Sequence, residues 1–288
     1  MNGPAPAPIA FFDVDETLIA AKGMLAFWDH WTADPARAAH AHAHANGPSH
    51  GSSYGSSYRP SHGHPHDPSY RPSHGPRGEA PGAAPPAAVD LRAAMAAGVP
   101  REELNRMYYR RFAGVPAAAL RSSARRWYDG YRRGAEAFVT AGLDAVARHR
   151  DLGHAVVLVS GSLRPLLEAV AEDLGADGVC CAEQTVSAGG VLTGEVDRPM
   201  IGRAKADAVV ALLRARGVRP ADCFAYGDHE SDLAMLRSVG RPVVVNGSPG
   251  LVAEAVRAGW PVLDGRRGPR LPERPAARTA VGHRSVSV

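Results

Sequence analysis

Apolar runs that alternate with amphipathic segments predict an α/β fold, with a Rossmann-like parallel-sheet core sandwiched by helices. Three observations carry the expectation. Ile9-Ala10-Phe11-Phe12, His154-Ala155-Val156-Val157-Leu158-Val159 and Asp222-Cys223-Phe224-Ala225-Tyr226 are nearly continuous apolar stretches, as strands covered on both faces require. They run into Asp13 and Asp15, Ser160, and Asp228, at the strand ends where an open parallel sheet gathers its ligands. Between the first run and the second lies a block of helical periodicity, which predicts a small helical bundle inserted after the first strand.

Taken in order, Ile9 to Phe12 leads into Asp13-Val14-Asp15-Glu16-Thr17. Strand periodicity points Asp13 and Asp15 the same way. Carboxylates held so close in a partly dry site repel unless a cation or a shared proton is present, which asks for a hard divalent ion, Mg²⁺. The bland alternative is a strand ending in a solvated Asp-rich turn. Ile19 to Thr32 reads as a helix with Met24, Leu25, Phe27, Trp28 and Trp31 as its apolar stripe. From His40 to about Ala88 the chain turns to His, Gly, Ser, Pro, Tyr and Ala, with Ser-Tyr-Arg-Pro-Ser-His-Gly at 57–63 and again at 69–75. Eight of the thirteen His lie between His40 and His74, so the tract could bind Zn²⁺, Ni²⁺ or Cu²⁺ loosely. The simpler reading is a disordered expansion tolerated in a surface loop.

Leu91 to Gly98, Arg101 to Phe112 and Ala117 to Gly130 read as three helices. Their Arg110-Arg111 and Arg125-Arg126 pairs, with Arg132-Arg133 just beyond, either face a phosphorylated substrate or are solvated helix faces. Ala135 to Arg150 reads as an amphipathic helix. The strand ending in Ser160-Gly161-Ser162 follows, then a helix from Leu163 to Leu174. A hydroxyl and free N–H groups at a helix start make a natural phosphate cradle, although Ser is also an ordinary N-cap. Val179 to Val196 reads as a strand pair around Ser187-Ala188-Gly189-Gly190. Lys205 falls in the first turn of a helix over Arg203 to Arg216, where it opposes the helix dipole unless it serves an anion. After Asp228 and Asp232 come a strand at Pro242 to Val245 and a helix at Leu251 to Ala258. The domain expectation is a core of 8–18 and 134–264, an inserted helical bundle of 19–39 and 89–133, a disordered insert of 40–88 and a disordered basic tail of 265–288.

The 288 residues are 45% hydrophobic, enough for a core, and no apolar run reaches the roughly 20 residues of a membrane span. Met1 to Pro8 lacks the regions of a signal peptide, and Cys180, Cys181 and Cys223 suggest small buried hydrophobes rather than a disulfide framework. The expected compartment is the cytoplasm. Six Arg (266, 267, 270, 274, 278, 284) against Glu273 give the tail +5, so the net +4 belongs to the tail and is poor evidence for nucleic-acid binding. No exposed apolar stripe argues an oligomeric state.

Asp13-Val14-Asp15-Glu16-Thr17, Ser160-Gly161-Ser162, Lys205 within Gly202-Arg203-Ala204-Lys205, and Gly227-Asp228 with Asp232 together resemble the motifs of the haloacid dehalogenase (HAD) superfamily of phosphohydrolases. The resemblance covers roughly 8–264 apart from the His-rich insert. The helical insert after the first motif resembles the cap of the phosphoserine-phosphatase-like branch. One position departs: where phosphoserine phosphatases carry a Glu for the substrate ammonium, this chain has Lys22, which suits an anionic or neutral substrate and disfavours phosphoserine.

The resemblance implies a Mg²⁺-dependent phosphatase of a small-molecule phosphomonoester. Asp13 would be the nucleophile and Asp15 the general acid and then base. Asp13, the Asp15 backbone carbonyl and Asp228 would hold Mg²⁺. Thr17, Ser160, Gly161 and Lys205 would serve the phosphate, with Asp232 orienting Lys205 or a metal-bound water. Alternatives are a phosphotransferase using the same intermediate, and a non-enzymatic metal-binding or interaction protein acting through the His-rich insert.

Overall fold

The computed structural model describes residues 6–34, 37 and 90–270. The His-rich insert of 40–88 and the tail beyond 270 lie outside the described residues. The sheet has six parallel strands in the order β4-β3-β1-β7-β8-β9. They are β1 (Ile9–Phe12), β3 (Ala155–Ser160), β4 (Gly178–Cys181), β7 (Phe224–Gly227), β8 (Arg241–Val245) and β9 (Val262–Leu263). From β1 the chain builds outward on one side through β3 and β4, then returns to β7 on the other side. The loops after β1 and β7 therefore share one crevice, the switch point where ligands gather in such sheets.

The period-2 alternation of the strands sorts the core into two clusters. Ala10, Phe12, Val156, Leu158 and Tyr226 face one side; Ile9, Phe11, Val157, Val159 and Ala225 face the other. The first side carries helices Thr140–Asp151 and Arg164–Leu174 together with the inserted helices, and all of them share one continuous core. The second carries Arg203–Arg216, Leu233–Leu236 and Pro249–Ala258.

The inserted helices are α1 (Gly23–Thr32), α2 (Leu91–Ala96), α3 (Arg101–Arg110) and α4 (Ala117–Tyr131). Phe112 is their hub, with Trp31, Tyr108 and Trp28 crossing it edge-on at ring-centroid distances of 5.4, 5.2 and 5.7 Å. Such contacts add about 0.5–1.5 kcal/mol each beyond area burial. Asp173, on the helix after β3, ties this layer to the core. It accepts from Tyr128 Oη at 2.9 Å and from Arg270 Nε at 3.0 Å, and pairs with Arg132.

Several boundaries differ from the sequence reading. α1 starts at Gly23, not at Ile19, because Ile19 is held in bridges to Asp15 and Phe138. Ala135 to Val139 is not helical: β2 (Phe138–Val139) pairs with β10 (Arg267–Gly268) before the helix begins at Thr140. That pairing and the Arg270–Asp173 bond carry ordered chain to residue 270, past the expected tail boundary at 265. Val179 to Val196 is not a single strand pair. β4 joins the main sheet, and the hairpin is β5 (Gln184–Val186) with β6 (Leu192–Val196). All three cysteines are free and buried.

His149, 1% exposed, bonds Tyr226 Oη through Nε2 at 2.8 Å and His154 through Nδ1 at 2.8 Å. Burial, then the neighbouring His154 and Arg148, push its pKa from 6.5 to about 4. The unfolded chain therefore takes up a proton that the native state refuses, and stability falls as pH drops from 6.5 toward 4. His149→Gln is expected to be less stable at neutral pH but to show a flatter fall over that window, read from thermal midpoints across pH.

Candidate active site

The backbone fixes the first acidic loop before any side chain acts. Asp13 N–H donates to Tyr226 O at 2.9 Å, which extends the β1–β7 pairing one residue past the strand. Val14 O then accepts from Leu18 and Ile19 at 2.9 and 3.0 Å, and Glu16 N–H donates to Ile19 O at 2.8 Å. The loop closes through Glu16 at φ 61°, a left-handed conformation that costs a non-glycine residue about 1–2 kcal/mol. Thr17, fully buried, donates through its hydroxyl to Asp228 Oδ1 at 3.3 Å.

Lys205 sits at the centre. It is 3% exposed, and Nζ donates to Asp13 Oδ1 and to Asp232 Oδ1, both at 2.6 Å. Burial alone would lower its pKa, but the two carboxylates overcome that and raise it. Asp232 Oδ2 in turn accepts from the N–H groups of Asp228 and His229 at 3.3 and 3.2 Å. This fold-back needs Gly227, since a Cβ there would lie 2.7 Å from Asp232 Cβ. Asp232 thus bridges the Lys205 ammonium and the backbone of the loop after β7.

One buried cation does not balance this acidity. Burial, then Asp13 and Asp232, push the Asp228 carboxyl up to about 9. Burial also outweighs Lys205 at Asp13, whose pKa is raised. Burial and the Asp13 charge bring Asp15 to about 7, against bonds from Gly23 N–H and Ser162 that pull the other way. Asp13, Asp228 and Asp232 present carboxylate oxygens within 4.8 Å of one another. An all-oxygen set with more negative charge than Lys205 offsets fits a hard divalent cation. The Asp15 side chain is not in that group; it turns toward Ser162, whose Oγ lies 3.3 and 3.2 Å from its two oxygens.

A cleft opens over these groups. Asp13, Asp15, Ser160, Gly161, Lys205, Asp228 and Asp232 all line it, whereas Thr17 does not. Met24, Arg101, Ser162, Ile201, His229 and Ser231 also line it, and the motif reading gave none of them a role in the site, although Ser162 closes the Ser160 motif. Arg101 was findable: Arg101, Asn105 and Tyr109 recur every fourth residue on α3 and so share a face. The Arg pairs are elsewhere. Arg110 pairs with Glu103, Arg125 with Asp129 and Glu172, Arg132 with Asp173, and Arg111 stacks on Trp28 at 4.7 Å. Lys22 does not stand as a free cation either, because its Nζ meets Glu16 Oε2 at 2.5 Å.

The family model for haloacid dehalogenase-like hydrolases matches residues 70–237. An inhibition of morphological differentiation protein of Streptomyces azureus is 40% identical over 129 residues, 45% of this chain and 47% of that protein. A phosphoserine phosphatase of Halobacterium salinarum is 35% identical over 143 residues, 49% of this chain and 63% of that protein. The chain thus spans about half the length of the curated relatives it matches. A Bordetella pertussis protein of unknown function shares the fold with TM-score 0.65 at 19% identity, over 91% of this chain and 100% of that one.

Lys205→Met keeps length and removes charge. It is expected to cost about 3–5 kcal/mol in urea denaturation at neutral pH, because two buried carboxylates lose their shared cation.

Proposed function

This chain belongs to the haloacid dehalogenase-like hydrolase family, and we propose that it is a Mg²⁺-dependent phosphatase that hydrolyses a small anionic phosphomonoester through an aspartyl-phosphate. The observation that carries the reading is Asp13, 6% exposed at the end of β1, with one oxygen fixed by Lys205 and its cleft shared with Ser160 and Asp15. The phosphatase named among the relatives supports the same chemistry.

An Asp13 carboxylate oxygen attacks phosphorus, the bond from phosphorus to the ester oxygen breaks, and the departing alkoxide takes the proton of Asp15. Water then attacks phosphorus while giving a proton to Asp15, and the bond to Asp13 breaks to release inorganic phosphate. A carboxyl near pKa 7 is suited to both transfers. Ser160 Oγ accepts from Ser162 N–H at 3.2 Å, which leaves its own proton for a phosphoryl oxygen. Lys205 supplies positive charge beside the attacking carboxylate. Asp13, Asp228 and the Asp15 backbone carbonyl would hold Mg²⁺, which supplies charge stabilisation to the transferring group.

In this reading helices α1 to α4 form a cap over a core of 8–18 and 134–264. α3 brings Arg101 to the cleft, and no ion pair to it is found among the described residues. With Lys22 matched by Glu16, Arg101 is the cation left to meet the alcohol part of the ester, which favours one carrying an anionic group.

Wild-type protein is expected to release phosphate from such esters only with Mg²⁺, and Asp13→Asn to fall to background in a phosphate-release assay. Equal turnover by Asp13→Asn would sink the assignment. Arg101→Ala should raise KM for anionic esters about fivefold, the worth of about 1 kcal/mol for an exposed pair, and leave neutral esters unchanged.

A further inference from the structure

We propose that Ser162 is a positioning residue for Asp15, and that Asn105 and Tyr109 of α3 hold the loop that carries it. The inference rests on the reading of Asp15 as the group that protonates the leaving alcohol.

Gly161 and Ser162 lie between the end of β3 and the helix that starts at Arg164, so neither strand nor helix bonding satisfies their carbonyls. The donors come from the inserted layer. Asn105 Nδ2 donates to Gly161 O at 2.9 Å, and Tyr109 Oη lies 3.1 Å from Gly161 O and 3.2 Å from Ser162 O. Both side chains are buried, Asn105 at 1% and Tyr109 at 0% exposure. The seat is tight: a Cβ on Gly161 would lie 2.7 Å from Ile201 Cδ1 and 3.2 Å from Asn105 Nδ2.

So held, the loop aims Ser162 Oγ across the cleft, with 1% exposure, to lie 3.3 and 3.2 Å from the two Asp15 oxygens. Gly23, the first residue of α1, limits Asp15 from the other side; a Cβ there would come within 2.8 Å of Asp15 Oδ1. The carboxyl is thus clamped between a hydroxyl set by α3 and the backbone at the start of α1. An acid so fixed presents its proton in one direction, and loss of the hydroxyl frees the carboxyl to rotate.

The consequence depends on the leaving group. Esters of weakly acidic alcohols need the proton as the bond breaks, whereas aryl esters such as 4-nitrophenyl phosphate leave largely without it. The test compares kcat/KM for an alkyl phosphate and 4-nitrophenyl phosphate, with Mg²⁺, in wild type, Ser162→Ala and Tyr109→Phe. Ser162→Ala is expected to lose about tenfold or more on the alkyl ester and less than about threefold on the aryl ester. Tyr109→Phe should show the same preferential loss in smaller measure, and it decides the matter alone if Ser162→Ala does not fold. Equal losses on both esters, or none, would overturn the proposal while wild-type turnover and its loss in Asp13→Asn leave the phosphatase reading intact. Absence of wild-type turnover on either ester would instead remove the reading on which it rests.

Discussion

A lysine buried between two aspartates is the constraint on which this structure turns. Desolvating an ammonium costs several kcal/mol, and only close carboxylates repay it. The pair at 2.6 Å on either side of Lys205 must therefore exist for the core to close. Three separate pieces of chain are thereby fixed to one another: the loop after β1, the loop after β7, and the start of helix Arg203–Arg216. The strand order puts the first two side by side, and the third reaches them from below the sheet. The crowding of Asp13, Asp228 and Asp232 around a single ammonium is what makes the cleft a place for a further cation.

The inserted helices do not form an independent body. Their aromatic hub around Phe112 is continuous with the face of the sheet that carries Phe12 and Tyr226. Polar links reinforce this, through Asp173 on one flank and through the carbonyls of Gly161 and Ser162 on the other. Apolar packing decides where α3 lies, and that position decides which of its polar side chains reach the cleft.

Much of this was legible in sequence. The parallel sheet follows from apolar runs around Phe11, Leu158 and Ala225, and the acids at their ends mark the crevice. Lys205 was legible because a cation in a helix's first turn is locally unfavourable and so calls for an anion. Helix starts were less legible. Ile19 continues the apolar pattern of α1, yet its backbone is taken by bridges to Asp15 and Phe138, which no local periodicity records. The Lys22–Glu16 pair was not legible, because Glu16 turns to it through a left-handed backbone conformation. The paired arginines drew notice as charge, but acids on their own helices meet Arg110 and Arg125, and distant Glu172 and Asp173 meet Arg125 and Arg132. Arg101, Asn105 and Tyr109 were hidden for the opposite reason: each is ordinary alone, and only their shared face distinguishes them.

The hairpin of β5 and β6 bears on how the two layers can part. Leu192 accepts from Gly114 and donates to Val115, both at 2.8 Å, and Ala117 donates to Gly190 O at 2.9 Å. Gly194 lies so close to Arg110 and Ala113 that a methyl group there would collide. The helical layer is therefore moored at a third point besides the segments where the chain enters and leaves it. A layer moored this way cannot swing on its two connections alone. Either it slides with the hairpin attached, and the strain passes down the segment that ends in Lys205, or the backbone bonds at Gly114 and Val115 give first. The hairpin thus links the position of the helical layer to the stretch of chain that leads into Lys205.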